Sequence, residues 1–324
     1  MTIKQNISII CAPFSLGGPN NAAKDGPKAL LNNALDDDLK ELGFNVKIIK
    51  PPKFDFKKSN TKNRIKNIEA VLKINEWLAK TVKEEIKNGY LPLTIGGDHS
   101  LAIGTISGTS NALKNIGVLW IDRHFDAHSP KNTPSWRAHG MPTAFAIGDK
   151  KYDPHPDFQR LLQVGGRDGM TPSVRPENFV YFAIGEKSLV KPKGKWYLIE
   201  DIDRVGINKA INDAISYLLK RVKYVYVAWD IDSMNVTGTG TSGDEQLTLR
   251  EGLVIARAIN KRIRLANRLA GLEMMEIAPR LERKELRGQT VNWVCELTLV
   301  VFGGNLFNNY SRMTRNINMH AKDI

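Results

Sequence analysis

Three apolar runs in this 324-residue chain end in the same kind of side chain. Leu91-Pro92-Leu93-Thr94-Ile95 leads into Gly96-Gly97-Asp98-His99-Ser100. Ile116-Gly117-Val118-Leu119-Trp120-Ile121 leads into Asp122-Arg123-His124-Phe125-Asp126-Ala127-His128. Tyr224-Val225-Tyr226-Val227-Ala228-Trp229 leads into Asp230-Ile231-Asp232. Short apolar runs rich in β-branched and aromatic residues read as buried strands. Side chains two apart leave a strand on one face, so Asp122, His124 and Asp126 project together, as do Asp230 and Asp232. Carboxylates crowded at the end of a buried strand are costly unless something offsets their charge, and a divalent cation does so. Open α/β sheets bind their ligands at the carboxyl ends of the strands. The spacing therefore predicts a metal site assembled from His99, Asp122, His124, Asp126, Asp230 and Asp232. Four carboxylates and two imidazoles exceed what one ion takes in a compact site; they suit two divalent ions about 3.5–4 Å apart. Oxygen-rich ligation with some imidazole favours Mn²⁺, with Co²⁺, Ni²⁺ or Zn²⁺ able to occupy the same set.

The rest of the chain alternates strand-like and helix-like segments, the pattern of a parallel sheet covered by helices. The opening residues, through Ile7-Ser8-Ile9-Ile10-Cys11, read as a first strand and Asn45-Val46-Lys47-Ile48-Ile49 as a second. Gly26-Pro27 starts a helix that carries Ala29, Leu30, Leu31 and Leu35. Ile65, Ile68, Val71, Leu72, Trp77, Leu78, Val82 and Ile86 recur at helical spacing, as do Ala210, Ile211, Ala214, Ile215, Leu218 and Leu219. Residues 148–178 show no clear period and read as a long surface excursion. With no linker, repeat or low-complexity tract, residues 1–324 are expected to form one three-layer α/β/α domain with a mainly parallel sheet.

Bulk properties narrow the function. No stretch of about 18 apolar residues is present, so no membrane span is expected. The N-terminal apolar stretch is too short for a secretory signal. Cys11 and Cys295 are the only cysteines, which suits a reducing cytoplasm rather than a disulfide framework. The net charge of +13 raises the question of nucleic acid. Lysines scattered over loops and helix faces, without a recognition motif or basic-aromatic alternation, argue for a solvated surface instead.

The residues also carry a resemblance. Gly96-Gly97-Asp98-His99-Ser100, Asp122-x-His124-x-Asp126, His139-Gly140-Met141-Pro142 and Asp230-x-Asp232, in this order, resemble the arginase/agmatinase (ureohydrolase) family. Ala12-Pro13-Phe14-Ser15-Leu16-Gly17 and Leu101-Ala102-Ile103-Gly104-Thr105-Ile106-Ser107-Gly108 look like its arginase branch, and the likeness runs from about residue 8 to residue 305. The resemblance implies one ion on His99, Asp122, Asp126 and Asp230, and a second on Asp122, His124, Asp230 and Asp232. It implies a hydroxide bridging two Mn²⁺ ions that attacks the guanidinium carbon of L-arginine and is hydrogen-bonded by Asp126, giving L-ornithine and urea. His139 matches the family's proton-shuttling histidine. Glu276, in Glu273-Met274-Met275-Glu276-Ile277-Ala278-Pro279, matches the glutamate that receives the guanidinium. The substrate would be a small guanidino compound, with agmatine the alternative to arginine. A homo-oligomer, trimer or hexamer, is implied as well.

Several positions depart from that pattern. Arg123 stands between two ligands where the family usually has Ala; strand alternation points it to the opposite face, where it needs an acidic or carbonyl partner. Asn235 replaces an Asp, and the segment up to Thr248 is shortened, while Thr237-Gly238-Thr239 keeps the Thr-Gly-Thr pattern that makes Thr239 a substrate-binding candidate. At the amino-acid end of the substrate, His128 takes the place of an Asn. Ser135 matches a Ser, and Trp136 and Arg137 replace small or polar residues. Glu186 and Ser188 take the place of an acidic pair.

Overall fold

Eight strands and ten helices alternate along the computed structural model, which describes residues 5–185, 188, 190–241 and 246–305. The strands are β1 (Asn6–Ala12), β2 (Asn45–Ile49), β3 (Leu91–Gly96), β4 (Ile116–Ile121), β5 (Phe179–Ile184), β6 (Lys195–Leu198), β7 (Tyr224–Asp230) and β8 (Leu269–Met275). The helices are α1 (Gly26–Asn32), α2 (Leu35–Glu41), α3 (Ile68–Lys87), α4 (Ala102–Ala112), α5 (Pro142–Ile147), α6 (Pro156–Leu161), α7 (Ile199–Val205), α8 (Ile207–Leu219), α9 (Leu249–Ile259) and α10 (Gln289–Val301). The strands form one sheet in the order β2-β1-β3-β8-β7-β4-β5-β6, every pairing parallel. The expected three-layer α/β/α architecture is therefore present.

Strand alternation sorts the core into two layers. Leu119, Ile121, Val225, Val227, Trp229, Leu272 and Met274 pack with residues of α1, α2, α8, α9 and α10. Val118, Trp120, Tyr181, Tyr226 and Ala228 turn to the opposite face, where α4 and α5 lie, and a neighbouring cluster joins α3 to α5 and α6 on that side. β3, β4, β5 and β8 are buried along their whole length, so a sequence in them needs no polar alternation. Among the described residues no helix is long and apolar enough to cross a membrane.

Two expectations change. The helix begun by Gly26-Pro27 does not run through Leu35: the backbone turns left-handed at Ala34 (φ 58°), and α1 and α2 are separate. Residues 148–178 are not only surface. Pro156 opens the short helix α6, the His155 ring accepts from the Asp157 amide, and Phe158, Leu161, Leu162 and Val164 are buried beside α3 and α5. Phe158 stacks on Phe145 with ring centroids 4.6 Å apart. One turn of helix is too short to display a period, which is why the sequence pattern missed it.

The four central strands β3, β8, β7 and β4 are neighbours, and a backbone latch fixes the first two at their carboxyl ends. Gly97 donates to Ala12 O (3.0 Å), Asp98 to Phe14 O (2.9 Å), and Glu276 donates to Gly97 O (2.9 Å). A Cβ on Gly97 would overlap the carbonyl of Phe14, so only glycine permits this approach. We expect Gly97→Ala to cost about 1–3 kcal/mol by forced overpacking. That corresponds to a melting point lower by roughly 2–4 °C per kcal/mol. Thermal melts of the two chains check this, and coincident midpoints would show that the latch tolerates a methyl group.

Candidate functional site

The carboxyl ends of β3, β4 and β7 bring together all six residues of the expected metal set. His99 Nδ1 lies 3.0 Å from Asp122 Oδ2, 3.0 Å from Asp230 Oδ2 and 3.5 Å from Asp126 Oδ2. His124 Nδ1 lies 2.9 Å from Asp232 Oδ2 and 3.5 Å from Asp122 Oδ1. The geometry thus forms two donor groups, His99–Asp122–Asp126–Asp230 and Asp122–His124–Asp232, with the ligating atoms of each within 4.8 Å of one another. Asp122 belongs to both and offers one oxygen to each. Asp230 groups with His99 only; its other oxygen accepts from the Asp232 amide at 2.8 Å.

Electrostatics shows what this assembly lacks. Burial pushes the Asp126 and Asp230 carboxyls well up, and the neighbouring carboxylates push the same way. Burial opposes charge on His99 and His124 too, yet the surrounding carboxylates raise both imidazoles. Asp232, although buried, is brought down to about 2 by His124 and by the Thr241 hydroxyl, which donates at 2.6 Å. The cluster meets its excess of negative charge with protons. Cations among the same atoms would serve the same end, and Asp122 Oδ2, which faces His99 Nδ1, is buried without a hydrogen bond among the described residues. The donor set fits hard or borderline divalent ions.

Beside this cluster lies a second carboxylate. Glu276 follows β8, is 2 % exposed, and accepts the His99 amide at 2.9 Å. Burial and the charges of Asp230 and Asp98 hold its carboxyl well above the usual range, so it favours a cationic partner. His139, on a short 3₁₀ turn after Arg137, places Nδ1 3.8 Å from Glu276 Oε1. Thr239 bridges to Ile277, next to Glu276, and its buried hydroxyl has no hydrogen-bond partner among the described residues. His128 is tied to Gly140 by its amide (3.0 Å) and its buried Nδ1 is likewise without a partner there. Ser135 turns its hydroxyl to the Arg137 amide at 3.2 Å. Glu186 lies outside the described residues.

A profile of the arginase family matches residues 5–303. The chain belongs to the arginase family. Its similarity extends to human arginase-1, with 35 % identity over 92 % of this chain and 93 % of that protein. The structure of arginase from Bacillus caldovelox superposes with a TM-score of 0.81 at 29 % identity, covering 93 % of this chain and 99 % of that one. An Entamoeba histolytica arginase in complex with L-ornithine gives a TM-score of 0.78 at 25 % identity, covering 93 % and 98 %. The members of this family are ureohydrolases, enzymes that hydrolyse linear amidines.

One of this chain's own departures is Arg123, which was expected to find an acidic or carbonyl partner; its buried Nη1 has none among the described residues. Its backbone does engage, the amide lying 3.4 Å from Asp232 Oδ1 and the carbonyl accepting from Gly185 at 3.0 Å. Nothing in the structure explains the choice of arginine. Arg137, by contrast, donates Nη1 to Gly18 O at 2.5 Å and so braces the turn that carries His139 against the loop after β1.

Other contributors escaped the sequence pattern. Asp98 accepts from Gly17 N (2.9 Å) and Ser100 N (3.1 Å), fixing the loop before His99. Thr143 donates to the carbonyls of Phe125 and Asp126 at 2.8 and 3.0 Å. Asp126 and Glu276 both adopt left-handed backbone, φ 46° and 60°, a strained conformation for such residues. Asp98 stood inside a recognised motif, but nothing in a sequence marks a left-handed aspartate.

Titration of His139 gives a test. Burial, with His124 and Arg137 adding to it, pushes the imidazole from its ordinary 6.5 down to about 4. The unfolded chain then takes up a proton here that the folded chain refuses, so stability is lost as pH falls from about 6.5 to about 4 and is unaffected above that window. We expect His139→Gln, measured by urea denaturation in chelator, to flatten this limb relative to the wild type. Parallel profiles would mean that His139 titrates normally.

Proposed function

We propose that this chain hydrolyses L-arginine to L-ornithine and urea with two divalent cations, Mn²⁺ by preference. The observation that carries the reading is the juxtaposition of the two donor groups, sharing Asp122, with the buried Glu276 beside them. His99, Asp122, Asp126 and Asp230 would hold one ion. Asp122, His124 and Asp232 would hold the other. When bound, such a pair supplies the Lewis acidity that makes a water acidic enough to attack at neutral pH.

The chain's own residues do the rest. Glu276 receives the guanidinium through paired charge-assisted hydrogen bonds, which fixes the carbon before its attacker and stabilises the carboxylate in the charged state. Asp126 holds the attacking water in line through a hydrogen bond. His139, neutral at pH 7 and 18 % exposed along its side chain, accepts a proton and passes it to the departing amine and to solvent. His128, Ser135, Thr239 and Glu186 would bind the amino-acid end. With Arg137 close to His139, that end favours a carboxylate over a bare amine. Both cysteines are buried and neither forms a disulfide, in keeping with a cytoplasmic enzyme of one domain. Family resemblance supports a homo-oligomer.

Two measurements test the reading. Urea release should require about two Mn²⁺ per chain, cease with chelator and recover on Mn²⁺ addition. L-Arginine should exceed agmatine in kcat/KM by roughly 5- to 150-fold, the worth of a polar contact of about 1–3 kcal/mol. More efficient turnover of agmatine would overturn the arginine assignment and leave amidine hydrolysis standing. Separately, Asp126→Asn keeps the side-chain shape but weakens both a ligand and the hydrogen bond to water. We expect kcat to fall by about two orders of magnitude or more with an unchanged circular dichroism spectrum, and near-wild-type turnover would remove Asp126 from the chemistry.

A further inference from the structure

Glu273 is a fully buried carboxylate in the middle of β8 that no step above uses. Its Cα pairs with Thr94 on β3 and Ala228 on β7, and Leu272 and Met274 on either side enter the opposite core layer. Such a group in the interior of a parallel sheet is costly unless donors surround it. Oε2 has two: Thr105 Oγ1 at 2.5 Å from α4, and Tyr226 OH at 2.8 Å from β7. Oε1 lies 3.6 Å from His99 Nε2. Neither of these last two atoms has a hydrogen-bond partner among the described residues, although both are buried. The His99 ring cannot turn away, because Trp120 stacks on it at 4.1 Å with an interplanar angle of 8°.

We propose that Glu273 is the positioning residue of His99. It receives the Nε2 proton and so keeps the Nδ1 lone pair aimed at Asp122, Asp126 and Asp230. A neutral imidazole carries one ring proton, and a ligating nitrogen must lack it. Nδ1 is the atom that faces the three carboxylates, so the proton belongs on Nε2, which faces Glu273 Oε1 at 3.6 Å. Thr105 and Tyr226 hold the other oxygen and thereby fix which end of the carboxylate meets the ring. This inference rests on the two-cation reading above and adds a residue outside the ligand set, acting on one of the two positions only.

Glu273→Gln tests it. The two hydroxyls would retain the amide oxygen, turning the NH₂ toward Nε2 and favouring the Nδ1–H tautomer, which cannot ligate. We expect calorimetric titration of the chelator-stripped variant with Mn²⁺ to show one position unchanged and the other weakened about 10- to 100-fold, the usual effect of losing a ligand's hydrogen-bond partner. At two equivalents of Mn²⁺, electron paramagnetic resonance should then show isolated ions in the variant and a coupled pair in the wild type. Tyr226→Phe, which disturbs the same buried network but leaves Oε1 facing His99, should lower the melting point without this selective loss. Two positions of wild-type affinity in Glu273→Gln would overturn the role of Glu273 alone. A wild-type chain that binds fewer than two ions would overturn the two-cation reading and this proposal with it.

Discussion

The mutual repulsion of buried carboxylates governs this molecule. A parallel sheet buried on both faces gathers Asp122, Asp126, Asp230, Asp232 and Glu276 where water cannot screen them. The raised carboxyls of Asp126, Asp230 and Glu276 and the raised imidazoles of His99 and His124 are one fact seen from five residues: the folded chain binds positive charge here. Hydrophobic packing in two layers positions the strands, and the loops at their carboxyl ends place the charges close enough to demand compensation. The demand is divided, with oxygen and imidazole donors in the two groups on one side and the Glu276 carboxylate on the other.

Much of this was legible in the sequence, for identifiable reasons. Fully buried strands produce apolar runs, so β3, β4 and β7 could be located almost to the residue. A two-residue spacing grouped Asp122, His124, Asp126, Asp230 and Asp232 before any coordinates, yet β4 ends at Ile121, Asp126 turns left-handed and Asp232 sits on a 3₁₀ turn, so the loops after the strands, not the pleat, bring them together. What stayed hidden depends on long-range or conformational facts. The break at Ala34 is a left-handed residue inside a helical period, and the one-turn helix α6 carries too few residues to show a period. Glu273 reads as a stray polar residue in an apolar strand until Thr105, Tyr226 and His99 are brought around it from three other segments. Arg123 adds another such case: nothing in its sequence surroundings shows that its Nη1 is buried without a hydrogen-bond partner among the described residues.

The division between conserved-looking chemistry and altered periphery has a physical basis. Asp230 ends β7, Asp122 follows β4 directly and Glu276 follows β8 directly, all held close to the ladder hydrogen bonds and the Gly97 contacts. The residues that would meet the amino-acid end, His128, Ser135 and Thr239, sit on loops, where a different side chain can be accommodated without disturbing the sheet. Arg137 illustrates the freedom: a large cation enters the region by leaning on the Gly18 carbonyl.

One short hydrogen bond has a thermodynamic meaning beyond its geometry. The His99 amide donates to Glu276 Oε1, so the backbone that aims the proposed metal-facing imidazole also holds the carboxylate proposed for the guanidinium. A load placed on either end is felt at the other through a single rigid peptide unit, and free energies of binding to the two ends cannot be independent. Linkage is reciprocal: whatever factor occupancy of the imidazole side contributes to grip on a guanidinium, the guanidinium returns to the imidazole side. Under the proposed function the amide of His99 would be a coupling element, making cation and substrate partners in one equilibrium.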